Sequence, residues 1–174
     1  MQKQFLLLLF LLSTSLTAKV LISPVDAMKE QYGEDVQISK KNIMLTKKKY
    51  STIEHEAKVK LNTKIYRVFS AKKDNEVLGY GILINRKVRS KNAVILYFIS
   101  KGKLLDIEII AFNEPAEYIP SKTWKSQFHN IQTTTMLKLS REIPTITGAT
   151  LSARSVTDAS RIAFAIYNKL FKEK

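Results

Sequence analysis

Cysteine is absent from the 174-residue chain, and histidine occurs only twice. No disulfide can staple an exported fold, so stability must come from the core, and thiol chemistry is excluded. His55 lies between Glu54 and Glu56 and reads as a surface residue, while His129 has no second His or Cys at ligand spacing. The pattern predicts no metal site. No acid–base pair or nucleophilic triad can be assembled from spacing, so most hydrolase mechanisms lack their parts. Glycine is scarce, five in all, and no GxGxxG fingerprint occurs, which argues against a direct nicotinamide reductase. Acid is the last shortage: 15 Asp and Glu stand against 29 Lys and Arg, a net charge of +14.

What is present begins with MQKQFLLLLFLLSTSLTAKV, in which Lys3 precedes an apolar run from Phe5 to Leu12 and small polar residues lead to Ala18. This is the layout of a secretory signal, and the run is too short to span a bilayer comfortably. Cleavage after Ala18 is expected over retention as an uncleaved anchor, giving a signal peptide over 1–18, one domain over 19–174, and a periplasmic or secreted protein, with membrane association the alternative. Because residues 1–18 carry one Lys and no acid, the mature chain keeps a charge of +13. Such a surface favours anionic partners. The cations fall in scattered pairs and triplets, such as Lys47–Lys49 and Lys72–Lys73, without a dense arm or aromatic interleaving. That distribution reads first as a solvated basic face, and no nucleic-acid partner is expected.

Along the chain, SPVDAMKEQYG reads as a helix with Ser23 at its cap, Pro24 in its first position and Gly33 at its end. VQISKKNIML reads as a strand broken by polar residues, and TKKKYSTIEHEAKVK as a helix capped by Thr46. From residue 63 the period becomes extended. TKIYRVFSA, VLGYGILINRKV, AVILYFIS and LLDIEIIAF, joined by short turns, predict a four-stranded antiparallel meander. KTWKSQFH reads as a short helix with Trp124 and Phe128 on one face, and Ser152 to Phe171 as a long helix with an apolar stripe. The fold class is α+β, a meander sheet packed by helices in one domain.

The stretch PTITGATLSARS, residues 144–155, surrounds Gly148–Ala149 with hydroxyls just before that last helix. Small residues let backbone approach a ligand, and a helix start offers unpaired N–H groups and a positive dipole end, which together suit a phosphate. The ordinary alternative is a Ser/Thr helix cap. TGATLS, Thr147 to Ser152, resembles the [S/T]-G-A-T-x-[S/T] signature of the FMN-binding domain family of NqrC and RnfG respiratory subunits. The element order from Ser23 to Phe171, and FNEPAEY followed by WKSQF, are similar as well. The resemblance implies FMN carried as a phosphoester on Thr150, installed after export by a flavin transferase that uses FAD and magnesium, with noncovalent FMN in the same site as the alternative. The phosphate would then rest beside Thr147, Gly148, Ala149, Leu151 and Ser152. Trp124, Tyr80 and the Glu114–Pro115 turn are candidates to line the flavin ring, though Trp124 beside Phe128 reads first as a core residue, and Lys122 and Lys125 could face a reduced ring or be ordinary surface lysines. The family has Asp where this chain has Pro144, with Glu142 two residues earlier, and that departure predicts incomplete modification.

The function expected is an exported electron-transfer flavoprotein domain, rather than a stand-alone enzyme, exchanging electrons with a membrane-associated or periplasmic redox partner. A cofactor-free basic binding or adaptor protein is the rival, and an FMN-dependent reductase of a small acceptor a narrower third reading.

Overall fold

The computed structural model describes residues 20–172; the expected signal peptide lies outside the described residues. Helix α1 (Pro24–Tyr32) starts under the Ser23 hydroxyl, which accepts from the Asp26 N–H at 3.1 Å. Strand β1 (Gln37–Met44) leads to α2 (Lys47–Ala57), capped in the same way by Thr46. Four strands follow, β2 (Ile65–Lys73), β3 (Glu76–Lys87), β4 (Asn92–Ser100) and β5 (Lys103–Phe112). Asp74–Asn75 and Lys101–Gly102 turn two of the hairpins with positive φ at both central residues, the geometry that matches strand twist. A short helix α3 (Lys122–Lys125), continued by a 3-10 turn to Phe128, a two-residue strand β6 (Ile131–Gln132) and the long helix α4 (Thr150–Leu170) complete the chain.

The α+β class with an antiparallel sheet is what the sequence predicts, but the sheet has six strands, not four, in the order β1-β2-β3-β4-β5-β6. Strand β1 pairs with β2 over its whole length, from Gln37 opposite Lys72 to Met44 opposite Ile65. The sequence reads it as a strand, but not as a member of the meander, since six of its eight residues are exposed and none is buried. Strand β6 is too short to carry a period; it pairs only with Lys103 and Leu104. Near the other end of β5, on the same edge, Val20 bridges Ala111 and the Leu21 N–H donates to the Ile110 carbonyl at 2.9 Å.

Helices cover both faces. On one side α2, α3 and α4 enclose the larger core, with Tyr97, Ile53, Ile95, Ile107 and Phe128 fully buried and Trp124 packed on Phe128 at 5.2 Å. The expected α4 stripe of Val156, Ala159, Ile162, Ala163 and Ile166 is buried there, and the small residues Ala153, Ser155 and Ser160 beside it let the helix sink close to the sheet. On the opposite side α1 covers Phe69, Ala71, Leu96 and Phe98. It fits because β3 carries Gly79 and Gly81 on that face: a Cβ at Gly79 would strike the Tyr32 ring, and one at Gly81 the Met28 sulfur. Among the described residues no helix is long and apolar enough to cross a membrane.

Candidate functional site

The approach to α4 is built in three steps. Residues 138–143 close on themselves, with the Ser140 N–H bonded to the Ile143 carbonyl at 2.7 Å and the Glu142 carboxylate accepting from the Lys138 N–H at 2.8 Å. Trp124 holds the next residue, its indole N–H donating to the Pro144 carbonyl at 2.9 Å. Ile146 to Ala149 then form a turn closed by Ala149 N–H to Ile146 carbonyl at 3.0 Å, with Gly148 at φ +79° in its third position. A type II turn asks that dihedral of its third residue, and glycine adopts it without strain. A Cβ on Gly148 would meet nothing within 4 Å, so the turn's demand is conformational and the space beside it is open.

Helix α4 begins on this turn without a side-chain cap. Its N-cap is Ala149, which makes no capping hydrogen bond, whereas α1, α2 and α3 each start under a Ser or Thr hydroxyl. Thr150 is the first helical residue, two positions earlier than the apolar pattern predicts. It is exposed, and its Oγ1 makes only a long bond of 3.4 Å back to the Ile146 carbonyl. The hydroxyls around it therefore do not perform the capping role that Ser and Thr before a helix usually serve. Ser152 is 1% exposed and lines the cleft that opens beside this helix start.

These residues line a cleft of about 220 Å³, with Gly148 to Ser152 on one wall and Val88, Arg89, Glu114 and Tyr118 on the other. Glu114 organises the second wall. Its Oε1 accepts from three consecutive backbone N–H groups of the β3–β4 turn, Arg89 at 3.1 Å, Ser90 at 2.6 Å and Lys91 at 2.7 Å. The Lys91 N–H, then those of Ser90 and Arg89, hold its carboxyl below the usual carboxylate range, against the opposing effect of burial. A charged acceptor thus fixes the turn that carries Arg89 to the cleft. Spacing could not have shown this, because Glu114 and Arg89 lie 25 positions apart.

The structure gathers Thr150, Gly148, Ala149, Leu151, Ser152 and Glu114 around one cleft, with Thr147 exposed on the turn beside it. Two predicted ring-lining residues lie elsewhere. Trp124 is buried in the core, 7% exposed, and reaches the site only through the Pro144 carbonyl. Tyr80 sits at the opposite end of α4, its ring 4.5 Å from Phe171 and 6.0 Å from Tyr167. Tyr167 follows Thr150 by 17 residues, about 25 Å of helix. The Lys125 ammonium is bound to Glu108 at 2.6 Å. The arrangement can hold an anion: a helix start with unpaired N–H groups and Arg89 line one cleft, and the Glu114 carboxylate in its wall is occupied by three backbone N–H groups. At 220 Å³ the cleft is smaller than the roughly 300–1,000 Å³ of enclosed ligand sites, and suits a phosphate better than a whole cofactor. No family model matches the chain, and no curated protein matches it.

Proposed function

We propose that this chain is an exported electron carrier with an FMN-domain-like fold, holding FMN through the Thr150 hydroxyl. One observation carries the reading: α4, alone among the four α-helices of the described residues, opens without a side-chain cap, and it does so at a cleft lined by the exposed Thr150 and by Ser152. A phosphate esterified to Thr150 would answer both features. It would accept from the first N–H groups of α4 and from Ser152, with Arg89 offsetting its charge. The TGATLS hexapeptide resembles the family signature in the same register. Beyond the phosphate the small cleft leaves the ring to lie over Leu151, Val88 and Tyr118 at the surface, within reach of a redox partner. FMN supplies, when bound, the redox chemistry that no residue type of this chain offers. Maturation calls for a flavin transferase drawing on FAD and magnesium, and electrons for a membrane-associated or periplasmic partner.

The test is intact mass and peptide mapping after coexpression with a flavin transferase in an exporting host. An FMN adduct is expected on the peptide containing Thr150. It should be absent from Thr150→Val, retained in Thr147→Val, and more abundant in Pro144→Asp. Unmodified wild-type protein would end the covalent reading, and colourless protein made beside the transferase would favour a cofactor-free binding protein.

A further inference from the structure

The antiparallel order brings five strand ends together at the end of the sheet where α4 starts: Met44 of β1, Ile65 of β2, Lys87 of β3, Asn92 of β4 and Phe112 of β5. Among the described residues six large hydrophobic side chains are exposed, and five of them lie at this end. Met44 (73%) and Ile65 (52%) are a cross-strand pair, Leu151 opens α4, and Val20 and Leu21 run beside Ala111 and Ile110. Charge collects around the same pair. Residues 40–67 hold nine Lys and Arg against two Glu, half of the whole chain's net excess in 28 residues. All nine are exposed, and none makes an ion pair among the described residues.

Three of these cations are placed against local physics. Lys47, Lys48 and Lys49 fill the first turn of α2, with no acid there, where the helix dipole disfavours positive charge. Lys64 stands beside them, its carbonyl bonded to the Leu45 N–H at 2.8 Å. Exposed apolar tips at the same end of the sheet as unpaired lysines match the interface of a bilayer bearing negative headgroups. Apolar tips enter the headgroup boundary there, and each lysine is drawn to the surface charge.

We propose that this end of the molecule docks on an anionic lipid bilayer, with Met44 and Ile65 seated in the interface and Lys47, Lys48, Lys49 and Lys64 on the headgroups. The Thr150 cleft opens at the same end, so docking would bring it to the membrane surface. The docking itself does not rest on the flavin reading.

The experiment is sedimentation of the exported protein with vesicles of phosphatidylcholine alone or mixed with phosphatidylglycerol, on wild type and on Thr150→Val, which separates docking from flavin attachment. Binding is expected only to the mixed vesicles, to weaken with salt, and to be equal for the two proteins. Lys47→Gln, Lys48→Gln and Lys49→Gln together should lower partitioning about a hundredfold, at about 1 kcal/mol per lysine. The same charge change at the far end, Lys72→Gln, Lys101→Gln and Lys169→Gln, should cost about threefold or less, because screening confines each charge to about 10 Å at 0.1 M salt. Met44→Ser with Ile65→Ser, both exposed and so harmless to folding, should remove the binding that survives raised salt. Equal binding to neutral vesicles, equal loss from the near and far lysine sets, or displacement by an acidic polypeptide with no effect of the Met44 and Ile65 changes would each overturn the proposal. The last outcome would point to an acidic protein partner.

Discussion

The two ends of α4 meet the same problem, unpaired backbone groups at a helix terminus, and meet it differently. At the C-terminal end the chain satisfies itself: the N–H groups of Phe171 and Lys172 return to the Tyr167 carbonyl, and the Tyr167 hydroxyl accepts from the Gly102 N–H at 3.1 Å. Tyr80, Tyr167 and Phe171 pack ring against ring there, beside an open cleft of about 670 Å³. At the N-terminal end no side chain among the described residues caps the helix. Its cap is an alanine, and an exposed threonine stands with Ser152 at the mouth of a smaller cleft. The larger cavity is therefore not the more informative one. A terminus that its own sequence could have capped, with hydroxyls at 145, 147, 150 and 152, and did not, is the stronger sign of an external partner.

The sharpest way to break this contrast is at Thr150. Thr150→Val should take covalent flavin from measurable to none by intact mass, whereas Tyr80→Leu at the other end should leave it unchanged. Loss in both would mean that the far end shapes the site after all. The next effect lies on the α1 face, away from either cleft. Gly81→Leu would collide with the Met28 sulfur, and an overpacked interior position costs up to about 3 kcal/mol. At about 2–4 °C per kcal/mol for a domain of this size, thermal unfolding should fall by about 10 °C, with flavin attachment still detectable.

Glu114 allows a finer test of how the open end is held. Glu114→Gln keeps the shape but loses the charge on an acceptor serving three N–H groups, for an expected loss of about 2 kcal/mol. Because the folded carboxyl titrates low, its contribution is fully present above the unfolded value of about 4.3 and fades as pH falls through the lower folded value. The stability difference between wild type and Glu114→Gln should therefore narrow in acid. A difference that stays constant down to the lowest pH at which both fold would remove the charge from the explanation. The smallest effect is expected at Trp124. Trp124→Phe retains most of the packing but drops the bond to the Pro144 carbonyl, worth about 1 kcal/mol. Thermal unfolding should fall by about 2–4 °C with the flavin absorption maximum unmoved, and a shifted maximum would return the indole to the cofactor.

Local chemistry was legible in the sequence where it needed no distant partner. Ser23 and Thr46 announced helix starts because a cap bonds within three residues of itself, and short turns announced the hairpins because turn geometry is a local demand. The apolar period placed four strands and the buried side of α4. Strand β1 was legible as a strand but not as the sheet's edge, being mostly exposed, and β6, two residues long, carries no period. Residues 147–152 could be singled out for the same reason as the caps, since small residues and hydroxyls before a helix have few uses.

Tertiary structure alone decided the rest. It set Arg89 and Val88 across from the hydroxyl turn, made Glu114 the anchor of a loop 25 residues away, and sent Trp124 into the core and Tyr80 to the far end. It brought the exposed Met44 and Ile65 to the same end of the sheet as the start of α4, because antiparallel pairing returns alternate strand ends to the same place. Composition and period act along the chain and can be read there. Which side chains meet across the sheet depends on register and on the helices laid over it, and only folding fixes those.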